Sequence, residues 1–458
     1  MRRAREVIEA VSTGFEELDV SPADTTGTAG TTHTTGTDGP DGPIGWPGHG
    51  EARAAAAARS GESESVVVGT ARIGDVEAVL ITWEFEFLGG SIGPRTGDRV
   101  EAAFAKACAL KLPVVSLIAT GGSRTQHGMR ALSQLQRIAR ASASARKAGV
   151  AQISVLRDPT TGGGWATLGA GADVVLALPE AQVGFAGSRV RPATSPAEAY
   201  TAEAKYEWGQ IDQLVEPEDL PDVLARWLLL LTSRSTAAVS PPSALRAVKP
   251  PESGWDAVRA ARASSRAHAA EYLDSYFDWR EPIHGDRTGS VDEGVLCGFG
   301  RLGDRSVAYA AQCGTATRPA GFRTAARLVR LASRLGIPVL TLVDTPGAAN
   351  DADAEQSGAG AAIAELFEAI ASAEVPVTTL VIGEGGSGGA MAFAAPGSTW
   401  IAPDAYFSVT SPEAAAAILK RPMTEISEIA ERLRLRPQDL VELGIAKGIV
   451  RASGAASS

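Results

Sequence analysis

Cysteine is nearly absent: only Cys108, Cys297 and Cys313 occur in 458 residues, and they form no C-x-x-C pair. That excludes a zinc ribbon and a disulfide framework and leaves three small core residues of a reducing compartment. No apolar run reaches about 18 residues and no basic-then-apolar leader opens the chain, so a cytoplasmic location and no membrane partner are expected. The net charge of −10 argues against nucleic acid as the main partner. No G-x-x-x-x-G-K-[ST] stretch exists, so the phosphate cradle of a nucleotide switch is missing, although Asp344-Thr345-Pro346-Gly347 matches such a switch sequence. Histidine is rare too, and the last of five is His284.

What the chain does have is 44% hydrophobic residues with few aromatics, suited to layered α/β packing, and conspicuous glycine turns. The central stretch is 375–395, VPVTTLVIGEGGSGGAMAFAA: strand formers at 377–382, then Gly383 to Gly389, then an Ala-rich helix former. A buried strand, a glycine turn and a helix start aim several unpartnered backbone N–H groups at one spot, which suits a negative oxygen. The plain alternative is that these glycines only permit tight strand-to-helix packing. The same residues fit G-x-S-x-G with Ser387 as nucleophile, but that reading requires a later histidine, and none follows His284.

Residues 1–61 read as a mostly disordered tail, with a short helix within 1–18, because 21–50 is rich in Thr, Gly, Asp and Pro and nearly devoid of large apolar side chains. His33 and His49 fall there and are not expected as ligands. From residue 66 short strands, glycine turns and helices alternate, which predicts a mostly parallel sheet. We divide the remainder into 62–235, a Pro-rich then helical connector over 236–282, and 283–458. The two halves share one plan: Pro113, Thr120 and Gly122 lie 225 residues before Pro338, Thr345 and Gly347 (338 − 113), and the same shift takes Gly163-Gly164 to Gly388-Gly389.

Each half carries two strand-ending turns, 120–124 and 158–164 in the first, 344–347 and 383–389 in the second, and ligands of such sheets gather at strand C-terminal ends. Two anion-binding turns suit a reaction in which two carbonyl oxygens become negative. Asp158 and Asp344 read as turn-holding side chains, His127 as a helix-flank residue, and Trp165 as core or pocket wall.

In GEGGSGGA (383–390), DTPGA (344–348), HGDR (284–287) and YFSVTSPE (406–413), the second half resembles the alpha half of the bacterial acetyl-CoA carboxylase carboxyltransferase. In TGGSRTQ (120–126), DPTTGG (158–163), GFAG (184–187) and FEFLGGSIG (85–93), the first half resembles its beta half. The resemblance covers roughly 61–450 in beta-then-alpha order. It implies an α/β fold of two tandem crotonase-type (ClpP/crotonase) spiral ββα domains related by a pseudo-twofold.

It also implies a carboxyltransferase that moves CO2 from carboxybiotin, carried in trans on a separate carrier protein, to the α-carbon of acetyl-CoA or another short acyl-CoA. Gly122 and Ser123 in one turn, and Gly388 and Gly389 in the other, are the implied catalytic positions. Gly121, Arg124, Phe185, Ala186, Gly187, Gly347, Gly386 and Ala390 are the implied substrate contacts. The ureido anion left by decarboxylation would take the acyl α-proton, so no side-chain base is required, and no bound metal is expected. Biotin carboxylase and biotin carboxyl carrier protein are implied partners, because the Met-Lys-Met attachment sequence is absent. A homodimer or higher homo-oligomer is expected.

The chain departs from the family in lacking the four-cysteine ribbon, in Ser123 where alanine is usual, in Ser188 where proline is usual, and in a short 313–320 segment. The rival readings are a biotin-independent decarboxylase of a malonyl-type thioester and a non-catalytic scaffold.

Overall fold

The computed structural model describes residues 3–20, 39 and 41–452. Two compact units divide the chain, Met1–Thr232 and Ser233–Ser458. The first is built on an eight-stranded sheet. Its strands are β1 (Thr13–Glu17), β2 (Val66–Ile73), β3 (Val76–Trp83), β4 (Val114–Thr120), β5 (Gln152–Thr161), β6 (Val174–Ala177), β7 (Val183–Gly184) and β8 (Gln213–Leu214). They run in the order β1-β2-β3-β4-β5-β6-β8, with β7 paired to the far end of β5. β2 and β3 form an antiparallel hairpin, and from β3 onward the pairing is parallel.

The second unit carries a seven-stranded sheet in the order β14-β13-β12-β11-β10-β9, with β15 paired to β13. These strands are β9 (Trp279–Ile283), β10 (Val295–Leu302), β11 (Arg305–Gln312), β12 (Val339–Thr345), β13 (Val377–Gly386), β14 (Thr399–Ile401) and β15 (Tyr406–Ser408).

Every side chain of β4 and β12 is buried, as near-continuous apolar runs require when helices or other elements cover both faces of a parallel sheet. The repeat is held at the level of whole elements. Helix Pro94–Leu110, β4, helix Gln134–Lys147 and β5 each begin 225 residues (319 − 94) before helix Pro319–Leu335, β12, helix Ala359–Ala371 and β13. Both long helices open on proline at the first helical position and close on a left-handed residue, Lys111 (φ 56°) and Gly336 (φ 71°). The copies differ in the connection from hairpin to long helix, which is 84–93 in the first unit and 313–318 in the second.

Two sequence expectations change. The short helix expected within 1–18 is present as Ala4–Val11 and buries Val7, Ile8 and Val11, but 3–20 and 41–61 are not otherwise a disordered tail: β1 pairs with β2, and His49–Ser60 is helical. The Thr/Gly-rich composition of 21–50 masks the alanine run, the best helix former, that follows it. The rest of the expected tail lies outside the described residues. Within 236–282, helices Gly254–Ala261 and Ala269–Tyr276 and strand β9 belong to the second unit, where β9 is the sheet edge.

Candidate active site

In the second unit β12 ends in Pro346-Gly347-Ala348 and β13 runs straight into the short helix Ser387–Met391. Gly347 has φ 143°, a conformation that favours glycine, and its N–H donates to Thr345 Oγ1 (3.1 Å). Thr317 N–H donates to Gly347 O (3.0 Å) and Ala349 N–H to Thr317 O (2.9 Å). Residues 347 and 349 are thus held by Thr317, while the Ala348 N–H between them has no hydrogen-bond partner among the described residues. A Cβ on Gly389 would stand 2.3 Å from Ala348 N, so this amide lies against the helix start.

The N–H groups of Gly388 and Gly389 belong to the first helical turn, which has no intrahelical acceptor to offer them. A Cβ on Gly388 meets nothing within 4 Å, so space opens at this point. Ser387 takes φ 57° without being glycine, a strained conformation of the kind that collects at functional turns.

The first unit repeats the arrangement. Gly122 (φ 103°) donates to Thr120 Oγ1 (3.0 Å), Ile92 N–H donates to Gly122 O and Arg124 N–H to Ile92 O (both 2.8 Å). The Ser123 N–H between them has no partner among the described residues. A Cβ on Gly122 would lie 3.5 Å from Gly162 Cα and 3.9 Å from Gly163 N, the start of the next helical turn. Gly162 N–H donates to Phe185 O (3.1 Å), which brings Phe185-Ala186-Gly187 to the same strand ends, and Phe185 itself is 74% exposed.

Three expected contact residues have other work. Arg124 is 2% exposed: its guanidinium forms a buried ion pair with Glu64, donates to Ser91 O (2.8 Å) and stacks over Phe87, leaving nothing for a ligand. Burial opposes ionisation of Glu64, yet the Arg124 charge and hydrogen bonds outweigh it and hold the carboxyl below its usual range. Gly386 is a close-approach residue, since a Cβ there would sit 2.0 Å from Pro346 O. Ala390 is buried inside the helix, and its N–H is the one that closes the first helical bond onto the N-cap residue Gly386.

Two residues outside the expected set belong to the turns, Ala348 and Gly163. The 225-residue shift finds both, because it carries Ser123 to Ala348 and Gly163 to Gly388.

Charged side chains brace the second turn from behind. Arg266 donates to both carboxylate oxygens of Asp344 (2.8 and 2.7 Å), and Asp344 Oδ1 accepts the Glu384 N–H (3.2 Å), which ties the ends of β12 and β13 together. Asp344 therefore does hold its turn, with an arginine added. Glu384 accepts from Arg262 Nε and from the Tyr406 hydroxyl (both 2.7 Å), and Arg262 also bonds Glu413, so the YFSVTSPE segment is fastened to the glycine turn.

His49, expected in the tail, is buried with Nε2 2.9 Å from Nε2 of His127. Burial pushes the Cys297 thiol up to about 12 and the Cys313 thiol up to about 11, which makes both poor nucleophiles. Among the described residues no group of three or more His, Cys, Asp or Glu side chains is placed to hold a metal, and no helix is long and apolar enough to cross a membrane.

This pair of units, each ending two adjacent strands in N–H-presenting turns, is a crotonase-type carboxyltransferase architecture. Residues 48–213 match the family described as carboxyl transferase domain, and 250–457 match acetyl co-enzyme A carboxylase carboxyltransferase-like. The chain belongs to the family of acetyl-coenzyme A carboxylase carboxyl transferase subunits beta/alpha. It is 38% identical to the beta/alpha protein of Saccharopolyspora erythraea over 419 residues, covering 87% of this chain and 74% of that one. It is 39% identical to that of Salinispora arenicola over 422 residues, covering 86% and 75%. The structure of a transcarboxylase 12S, described as a hexamer, superposes with a TM-score of 0.76 at 21% identity, covering 98% of this chain and 87% of that one. At that identity the likeness bears on the fold.

Proposed function

We propose that the chain performs the carboxyl-transfer half-reaction of an acyl-CoA carboxylase, moving CO2 from carboxybiotin on a separate carrier to the α-carbon of acetyl-CoA or another short acyl-CoA. The observation that carries this reading is the repeated turn: Ser123 in one unit and Ala348 in the other each hold an N–H without a partner among the described residues, beside a glycine-rich helix start.

Donors without acceptors suit an oxygen that gains negative charge. In the second unit Ala348 with Gly388 and Gly389 binds one such oxygen, and in the first Ser123 with Gly163 binds another. One is the thioester oxygen as the acyl α-carbon becomes nucleophilic, and the other is the ureido oxygen of biotin. Each fixed donor of this kind contributes about 2.7–4 kcal/mol to the transition state. The open space over Gly388 leaves room for a ligand oxygen, and a donor set made only of N–H groups fits an anion. Carboxybiotin, when bound, supplies both the one-carbon unit and, after its loss, the base. The turns themselves bind and orient, and no side chain in them acts as a proton acceptor. Biotin carboxylase and a biotin carboxyl carrier protein are the partners, and the enzyme works as a homo-oligomer.

An acyl-CoA panel assayed with and without carboxylated carrier tests this. Carboxylation that depends on the carrier is the expected result. CO2 release from malonyl-CoA by the isolated protein favours the decarboxylase instead, and no acyl-CoA binding by calorimetry favours the scaffold.

A further inference from the structure

We propose that the buried hydroxyls of Thr120 and Thr345 are positioning residues: each locks the peptide before its turn so that the next N–H, of Ser123 or Ala348, is presented to the reacting oxygen. This rests on the function proposed above. The two threonines end β4 and β12, are fully buried, and lie 225 residues apart (345 − 120).

Thr120 Oγ1 accepts the Gly122 N–H (3.0 Å) and donates to Gly90 O (2.7 Å). Thr345 Oγ1 accepts the Gly347 N–H (3.1 Å) and lies 2.7 Å from both Thr315 O and Gly347 O, its one proton serving either. Thr315 is the 225-shifted counterpart of Gly90 (315 − 90), so the same three positions are joined in both units.

The geometry makes the hydroxyl necessary for orientation. The paired residues end at Thr120 and Thr345, so the Gly122 and Gly347 N–H groups fall beyond the parallel ladder, and the positive φ of each glycine then turns the following peptide, which carries the Ser123 or Ala348 N–H. A hydroxyl reaching back from the strand end satisfies the glycine N–H and fixes the rotation of the peptide. Ile92 and Thr317 then grip the residues on either side of the presented amide, through Gly122 O and Arg124 N–H in one unit and Gly347 O and Ala349 N–H in the other. The direction of one unengaged N–H is thus set by one side-chain oxygen and one neighbouring backbone segment. A serine keeps that oxygen. A valine keeps the shape, including at position 120 the methyl that packs where Gly164 has no Cβ, and removes it.

The test uses the full chain with carboxylated carrier and acyl-CoA, comparing Thr120→Val, Thr120→Ser, Thr345→Val and Thr345→Ser. For the valine variants kcat is expected to fall about 10²-fold, within the range for a lost oxyanion donor, with KM for acyl-CoA within about twofold. The serine variants are expected to stay within about threefold of wild type, which a role in packing alone does not explain. If a valine variant does not fold, the Thr→Cys variant, close to serine in shape but a weak hydrogen-bonding group, takes its place with the same expected loss.

Valine or cysteine variants with wild-type kcat overturn the proposal, and so do serine variants as impaired as valine. Gly388→Ala in the same assay separates the two levels of the argument. If it is inactive while the threonine variants are unaffected, the hydroxyl proposal alone fails. If it is fully active, the function assigned to the turn fails first.

Discussion

Gly389 and Ala348 touch backbone to backbone: a methyl group on Gly389 would come within 2.3 Å of the Ala348 nitrogen, whereas one on Gly388 would meet nothing within 4 Å. Neighbouring glycines in one turn therefore do different things, the first leaving room for a ligand and the second allowing two segments to meet. Gly388→Ala is expected to fold normally and to lose about 10²-fold or more in kcat, because the methyl occupies the space offered to the substrate oxygen. Gly389→Ala is expected to cost about 1–3 kcal/mol of stability, as overpacking against fixed backbone does. Because that clash falls on the Ala348 amide, Gly389→Ala is expected to lower kcat as well, whereas Gly388→Ala lowers kcat with an unchanged denaturation midpoint, and measuring both quantities for each variant separates the two.

Ser387 sits at φ 57° where its counterpart Gly162 sits at φ 61°. Ser387→Gly relieves a left-handed non-glycine residue and is expected to stabilise the protein by about 1 kcal/mol with activity retained. Abolished turnover in the folded variant would restore Ser387 as a nucleophile.

Lys111 closes the first long helix in a left-handed conformation, the place that Gly336 takes in the second. Lys111→Gly is expected to raise stability by about 1 kcal/mol, read as a higher thermal midpoint with unchanged kinetics.

The Arg124–Glu64 pair makes a pH-dependent contribution of known sign. Glu64 is held below its ordinary value of 4.5, so the unfolded chain takes up the proton first as pH falls. The stabilisation is complete above pH 4.5 and is lost as pH drops from there through the folded value. Glu64→Gln leaves the buried guanidinium without its counter-charge and is expected to cost about 3–5 kcal/mol. An acid-unfolding curve of the variant with the same slope as wild type below pH 4.5 would contradict this.

His49 and His127 meet through their Nε2 atoms at 2.9 Å, a contact that one shared proton satisfies and two disrupt. Burial and then the charges of Arg124 and Arg53 lower the His49 pKa, against the opposing pull of Asp41 and Glu64. Folding then favours the neutral ring: the stabilisation is full above pH 6.5 and fades as pH falls through 6.5 toward the folded value. Hydrogen exchange over 41–61 is expected to speed up across that window, and His49→Gln is expected to remove the pH dependence.

Much of this molecule is legible in its sequence because its turns are built from backbone that glycine marks. Glycine runs after apolar strands mark the turns at 120–124 and 383–389, and the 225-residue shift relates the two halves within the sequence itself. Contacts between distant residues are not written that way. Nothing in the sequence near Arg124 says that Glu64 neutralises it, and nothing in GEGGSGGA says which glycine borders open space and which faces Ala348. The helix Ala4–Val11 is legible because its four buried side chains repeat at helical spacing, whereas His49–Ser60 is hidden by the polar stretch before it. Ala348 is hard to pick out from sequence because glycine marks the turn, while the amide without a partner among the described residues belongs to the residue that follows it.

The unequal connections from hairpin to long helix, 84–93 against 313–318, leave the helices that follow in step with one another. Length drift has been absorbed upstream of the elements that carry the paired amides. The helix-side ends of both connections, which carry Ile92 and Thr317, keep the same spacing to the turns they hold, so the difference in length falls on the hairpin side alone.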